Sequence, residues 1–180
     1  MAKAIGVDIG GTGLKAGVVD LEHGTLESDR IRIPTPKGAK PADVLETVKQ
    51  VLSTLGVQDS RLPLGVAFPA IVKHGRTLSA ANIAKDWIDF EAERFFEDGL
   101  GRQITFVNDA DAAGVAESRH GAARDARGLT ILATLGTGIG SAFLYNGVLV
   151  PNTELGHLDF RGESIEKWAA YSAMERDQLD

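Results

Sequence analysis

The strongest constraint on this chain is a pattern that occurs twice: an apolar β-type run, a glycine turn, and a second β-type run. Asp8-Ile9-Gly10-Gly11-Thr12-Gly13 lies between runs at 3–8 and 14–21, and Leu135-Gly136-Thr137-Gly138-Ile139-Gly140 lies between runs at 129–135 and 139–145. Glycine at this density frees a backbone for positive φ and for close approach to a ligand, while successive amide N–H groups form an anion-binding concavity. Either turn alone is satisfied by a tight hairpin with no ligand. Their recurrence predicts two phosphate-gripping hairpins facing each other. The first is not a Walker loop, because Leu14 precedes Lys15 and the spacing from the glycines is wrong, and the second has glycines at every second position leading into a strand. No helix follows, as a dinucleotide loop would require.

The chain has 180 residues of ordinary globular composition and a formal net charge of −6, which disfavours a general role on nucleic acid or membrane surfaces. It has no cysteine, so it has no disulfide scaffold, cysteine nucleophile or cysteine-ligated zinc. That absence suits a reducing compartment. A strand starts almost at the N-terminus and no apolar stretch approaches membrane length, so neither a signal peptide nor a membrane span is expected, and the cytoplasm is the expected location.

Along the chain, the first two runs and a third from Thr25 to Ile33 predict a three-strand meander. Pro34, Pro36 and Pro41 interrupt regular structure, after which Val44, Leu45, Val48, Val51, Leu52 and Leu55 recur at helical spacing over 42–55. A short strand at Leu64–Phe68 leads into a small-residue loop or hairpin up to Trp87, then a helix over 90–98. The strand at 104–107 runs straight into Asn108-Asp109-Ala110-Asp111, and an alanine-rich helix to Arg119 is closed by Gly121. Asn146-Gly147 signals a hairpin into Val148–Val150. A polar loop covers 151–162, and residues 163–178 read as one helix with an uneven apolar face.

Four sets of residues carry possible chemistry. Asp8, closing the first strand, suits a hydrated Mg²⁺ beside phosphates, or simply bonds turn amides. Asp109, at a strand-to-helix junction beside Asn108, is either a general base or a helix N-cap, with Asp111 suiting the first turn. Glu154 and His157 in Glu154-Leu155-Gly156-His157 are placed to bond neighbouring hydroxyls of a sugar, or form an exposed polar loop. Their spacing does not match a zinc-binding His-Glu-x-x-His, and His23, His74 and His120 are scattered. Asn82 and Lys85 are sugar or phosphate contacts, or part of a solvated loop with one packing tryptophan, Trp87. Neither His-Arg-Asp nor Asp-Phe-Gly occurs, which disfavours a protein kinase.

Taken together, Asp8-Ile9-Gly10-Gly11-Thr12-Gly13-Leu14-Lys15, Asn108-Asp109-Ala110-Asp111, the turn at 136–140 and Glu154-Leu155-Gly156-His157 resemble the ROK family of sugar kinases and repressors, in order and in separation. Thr12-Gly13-Leu14-Lys15, Ala81-Asn82-Ile83-Ala84-Lys85-Asp86-Trp87-Ile88 and Pro151-Asn152-Thr153-Glu154-Leu155-Gly156-His157 are most similar to its polyphosphate-using glucokinase branch.

The resemblance implies an α/β, actin-like ATPase fold of hexokinase type, related to ribonuclease H, with two lobes at 1–108 and 109–180, the second incomplete. It implies phosphoryl transfer from polyphosphate or ATP to the glucose 6-hydroxyl. Asp109 would be the base; Asn82, Asn108, Glu154 and His157 would hold the sugar. Gly10, Gly11, Thr12, Gly13, Lys15, Lys85, Gly136, Thr137, Gly138 and Gly140 would hold the donor, with Lys73 a further contact, and Asp8 would hold Mg²⁺ through water. Many members bind structural zinc through a cysteine cluster and the histidine of this loop; with no cysteine, zinc is not expected here. A homodimer is implied. A ROK-type sugar-sensing regulator would need a DNA-binding segment ahead of the first strand, for which Met1-Ala2 leave no room; a non-catalytic sugar-binding module would not need Asn108-Asp109.

Overall fold

Alternation of side chains builds the first sheet. In β1 (Lys3–Ile9), Ile5, Val7 and Ile9 are buried while Gly6 and Asp8 face the other way, the period-two pattern of a strand with one packed face. β2 (Gly13–Asp20) pairs with it antiparallel, so that Ile9 lies opposite Leu14 and Asp8 opposite Lys15. The computed structural model describes residues 2–80, 83–136 and 138–178. They fall into two units, Met1–Asp109 and Ala110–Asp180.

The run from Thr25 to Ile33, expected as one strand, is two: β3 (Thr25–Leu26) and β4 (Ile31–Pro34), both paired with β2. The interruption has a cause in Ser28. Its hydroxyl accepts the Val18 N–H at 2.9 Å in place of a backbone carbonyl, and the ladder breaks there. Pro41 then opens α1 (Pro41–Thr54), where its missing N–H costs nothing, and Val44, Leu45, Val48, Val51 and Leu52 bury the expected stripe.

β5 (Leu64–Phe68) returns parallel to β1, and a hairpin of β6 (Val72–Lys73) and β7 (Arg76–Thr77) follows. A 3₁₀ turn at Lys85–Trp87 precedes α2 (Ala92–Leu100), closed by Gly101 in the left-handed conformation. β8 (Thr105–Asn108) adds to β5 in parallel, and across the sheet the order is β4 and β3 beside β2, then β1, β5 and β8. The core beneath is aromatic. Trp87 is fully buried, its ring centroid 4.5 Å from Phe68 and 5.9 Å from Phe96, and its Nε1–H donates to the Ala39 carbonyl at 2.8 Å. The packing role foreseen for Trp87 is therefore the observed one, and truncating it to alanine would cost about 3–5 kcal/mol.

In the second unit α3 (Asp109–His120) runs on from the seam. β9 (Leu129–Leu135), β10 (Ile139–Tyr145) and β11 (Val148–Val150) form an antiparallel sheet, with Asn146 and Gly147 at φ 50° and 77° in the hairpin turn that their sequence demands. Ala142 and Leu144 are buried on the face where Gly114 of α3 meets them.

The single helix expected over 163–178 does not form. A hairpin of β12 (Asp159–Phe160) and β13 (Glu163–Ser164) takes its first residues, and the remainder is split into α4 (Glu166–Ala169) and α5 (Tyr171–Asp177) by Ala170, which is extended at ψ 163°. The uneven apolar spacing offers no continuous stripe to hold one helix together. A tertiary bond takes advantage: the Tyr171 N–H donates to the Gly136 carbonyl at 3.0 Å. Among the described residues no helix is long and apolar enough to cross a membrane.

Candidate functional site

In the first unit, the glycine turn between β1 and β2 is braced from β4. The Gly10 N–H donates to the Gly13 carbonyl at 3.1 Å, the Thr35 hydroxyl donates to the Gly10 carbonyl at 2.5 Å, and Arg32 Nη2 reaches the Thr12 carbonyl at 3.4 Å. The carbonyl oxygens of Gly10, Thr12 and Gly13, which would repel an anion, are thus engaged by donors. Gly11 and Thr12 are exposed at its tip.

Gly10 and Gly13 do not use positive φ, the property first expected of them. What Gly13 supplies is close approach: a Cβ there would sit 2.9 Å from Arg32 Nε, so only glycine lets the guanidinium lie on the backbone. One strand pair back, Lys15 Nζ lies 2.9 Å from Asp8 Oδ2, both side chains about two-fifths exposed at 41% and 44%. The residue proposed for metal and the residue proposed for donor phosphate therefore hold each other.

At the far side of the same sheet, β8 delivers Asn108 and then Asp109. Asn108 is 5% exposed and its Nδ2 donates to the Ala70 carbonyl at 3.0 Å, fixing the segment after β5 against the end of β8. Asp109 is half-buried and is itself the first residue of α3, so the cap position falls to Asn108. A carboxylate in a first helical turn is favoured by the exposed N–H groups there. Lys85 is exposed on the 3₁₀ turn and Lys73 on β6, while Asn82 lies outside the described residues.

In the second unit, the Gly136 N–H donates to the Gly138 carbonyl at 3.0 Å. Gly136 has open space where a Cβ would stand, whereas at Gly140 a Cβ would come within 2.5 Å of Thr134 Oγ1. Thr137 lies outside the described residues. The segment carrying Glu154 and His157 is fastened to β10 by Ser141, whose hydroxyl donates to the Thr153 carbonyl and accepts the Leu155 N–H at 3.0 Å. Gly156 packs so tightly on β10 that a Cβ would land on the Ile139 carbonyl oxygen. That contact explains the glycine between Glu154 and His157.

His157 stands between two carboxylates, with Nδ1 3.8 Å from Glu154 Oε2 and Nε2 3.8 Å from Glu166 Oε1. Glu166 in turn accepts the Ile139 N–H at 3.4 Å. Asp111, 2% exposed, accepts the Asn152 N–H at 2.9 Å. Burial pushes the Asp111 carboxyl above its ordinary range against that hydrogen bond. Burial raises Glu154 as well, opposed by His157 and reinforced by Asp111 and Glu166. The result is a carboxylate and imidazole cluster with hydrogen-bonding capacity for hydroxyl groups.

Sequence reasoning missed Arg32, Thr35, Ser141 and Glu166, and saw Asp111 only as a helix-turn residue. For Arg32 a signal existed, since pairing β4 with β2 by their apolar residues sets it opposite Lys15. Nothing in the spacing marked Glu166. Among the described residues, Asp20, Glu22 and His23 form a group of possible metal ligands, but Asp20 is engaged by the His23 ring at 2.7 Å and by the Glu22 N–H at 2.7 Å, as a turn requires. Those bonds, the His23 ring first, hold its pKa down to about 2.

The ROK family profile matches residues 4–166. Polyphosphate glucokinase of Mycobacterium tuberculosis (strain CDC 1551 / Oshkosh) is 47% identical over 173 residues, covering 96% of this chain and 64% of that protein. Among solved structures, the inorganic polyphosphate/ATP-glucomannokinase of Arthrobacter sp. strain KM superimposes with a TM-score of 0.93 at 46% identity, over all of this chain and 73% of the other. A ROK family glucokinase from Streptomyces griseus, in complex with glucose and AMPPNP, gives 0.83 at 27% identity over 97% and 59%. The chain thus spans somewhat less than two thirds of its mycobacterial relative, and it shares the α/β, actin-like fold of these kinases.

Proposed function

The chain belongs to the ROK family, and from its site we propose that the whole protein transfers a phosphoryl group from inorganic polyphosphate, or from ATP, to the 6-hydroxyl of glucose. The observation that carries this reading is that the braced glycine turn, which follows β1, and Asn108-Asp109, which close β8, lie at the same end of one sheet, because β1, β5 and β8 run parallel in that order. A phosphate cradle and a carboxylate base are what such a transfer needs. The 46–47% identity to a polyphosphate glucokinase and a polyphosphate/ATP-glucomannokinase supports the choice of donor and sugar.

Asp109 accepts the proton of the sugar hydroxyl as its oxygen attacks the terminal phosphorus. The bond to the donor's bridging oxygen breaks, and the shortened polyphosphate or ADP leaves with that electron pair. Asn108, Glu154 and His157, with Asn82, hold the remaining hydroxyls. The backbone of Gly10, Gly11, Thr12 and Gly13, that of Gly136, Thr137, Gly138 and Gly140, and the cations Lys15 and Lys85 hold the phosphates. Catalysis of this kind is positioning and charge stabilisation rather than covalent chemistry.

Asp8 suits Mg²⁺, which takes one or two carboxylates and otherwise water and phosphate oxygens. Its carboxylate is partly exposed and only Oδ2 is tied to Lys15 by the observed ion pair. When bound, Mg²⁺ would neutralise charge on the transferring group. Zinc has no place in this reading, and the protein is taken to act in the cytoplasm as the homodimer expected of its relatives.

A coupled assay for glucose 6-phosphate with polyphosphate or ATP, and with Asp109→Asn, tests the proposal. A positioned base is worth about 10²–10⁴ in rate, and a loss of that size is the expected result. Absence of turnover with both donors, or an undiminished Asp109→Asn variant, would sink it.

A further inference from the structure

Asp8, Lys15 and Arg32 occupy directly opposite positions on β1, β2 and β4, and the row continues the other way through Ala67 of β5 to Val107 of β8. Opposite residues in paired strands share a face, so all five belong to one face of the sheet. Val107 is two residues before Asp109. The row therefore leads from the strand that precedes the proposed base, across β1 and β2 just behind their glycine turn, to an arginine at the other side.

Arg32 ends that row in an unusual setting. Its guanidinium lies on Gly13, Nη2 touches the Thr12 carbonyl at 3.4 Å, and the side chain is exposed. Where Lys15 is answered by Asp8, no carboxylate stands opposite Arg32 in the register: its partner on β2 is Lys15, another cation. Lys15 is already matched by Asp8, whereas among the described residues Arg32 enters no ion pair. An arginine also presents its donors in a planar fork suited to phosphate oxygens.

We propose that Arg32 is an outer phosphate-binding residue of the donor site, which holds phosphates several units along the chain from the one transferred and so favours long polyphosphate over short donors. The inference rests on the reading that the donor is a phosphate chain. Its geometric basis is distance. β8 and β4 are four strand steps apart, which at about 4.8 Å per step puts Arg32 roughly 19 Å from the strand that delivers Asp109. A terminal phosphoryl group beside Asp109 is out of reach of Arg32, whereas an extended chain laid along the row passes first Lys15 and then Arg32.

The test compares full-chain wild type, Arg32→Ala and Arg32→Lys with long-chain polyphosphate and with inorganic tripolyphosphate, by direct binding and, where there is turnover, by KM. Hydrogen bonds to a charged group are among the stronger ones, so Arg32→Ala should weaken long-chain binding by about ten-fold or more. Tripolyphosphate should lose much less, Arg32→Lys should recover part of the long-chain affinity, and the salt dependence of long-chain binding should become shallower. A purely structural role would lower both ligands together along with the melting temperature. Equal losses for both chain lengths, or no loss, would overturn the inference. If neither donor gives turnover, the kinase reading fails, and the binding titration alone decides about Arg32: selective loss upholds it, and absent or unaltered polyphosphate binding overturns it.

Discussion

Lys15 Nζ lies 2.9 Å from Asp8 Oδ2, the two residues facing each other across β1 and β2 in register. The pair closes the strand ends that carry the glycine turn, and it links two residues with separate proposed roles. Each neutralises the other; on the proposed reading, donor binding would draw Lys15 to phosphate and leave Asp8 for a hydrated cation.

Because both side chains are more than a third exposed, this ion pair should add little to stability, on the order of 0–1 kcal/mol. Asp8→Asn and Lys15→Gln are therefore expected to melt within a few degrees of wild type, with donor affinity reduced in both. Thermal melts beside donor titrations check this. A large fall in melting temperature in either variant would assign the pair to folding rather than to the donor site.

What the sequence made legible follows from which interactions are local. The strands flanking both glycine turns, α1 and the Asn146-Gly147 hairpin depend on alternation, helical spacing and turn chemistry, and all were readable. The break at Ser28 depends on a hydroxyl meeting Val18 ten residues away and leaves no local trace; the split at Ala170 left one in the uneven apolar face of 163–178, but its place is marked by a bond from Tyr171 to Gly136 that the spacing does not reveal. The site divides the same way. Asp8, Asp109, Glu154 and His157 stand in motifs, whereas Arg32 and Glu166 reach their neighbours only through strand pairing and chain reversal.

Gly156 and Gly136 should respond unequally to alanine. At Gly156 the added Cβ meets the Ile139 carbonyl, a backbone atom that cannot swing aside, while at Gly136 it meets nothing within 4 Å among the described residues and φ is not positive. Overpacking of this kind costs about 1–3 kcal/mol, so Gly156→Ala should lower the melting temperature and, on the proposed reading of Glu154 and His157, weaken glucose binding. Gly136→Ala should stay within about 0.5 kcal/mol of wild type. Paired melts and glucose titrations decide, and a Gly156→Ala variant with wild-type stability and sugar affinity would contradict the packing described.

Glu154→Gln should trade sugar affinity for stability. Burial raises the Glu154 carboxyl in the folded state, so unfolding lets it ionise more readily. The penalty is absent below the ordinary carboxylate range, where both states are protonated, grows as pH rises through that range, and is complete above the folded pKa. At neutral pH the glutamine variant should melt higher than wild type, and the difference should vanish on acidification. Melts across pH 3 to 8, on the order of the range where carboxyls titrate, would show it. A variant less stable at neutral pH would mean that the attraction to His157 outweighs burial.

The sheet of the second unit has one face that its own unit leaves open. By register Leu129 shares a face with Tyr145 and Val148, and Ile131 with Phe143 and Val150, and Leu129, Ile131, Leu135, Tyr145, Val148 and Val150 are each between 46% and 72% exposed. An apolar surface of this extent on an edge-bearing sheet promotes association and binds hydrophobic dyes. The 180-residue chain by itself should therefore bind such a dye and self-associate as concentration rises. Ile131→Thr with Val148→Thr keeps strand propensity while removing apolar area, so it should lower dye binding and association with stability changed by only about 0.5 kcal/mol. Light scattering and dye fluorescence at matched circular dichroism make the comparison. An unchanged dye signal in the double variant would place the exposed apolar surface elsewhere than on this sheet.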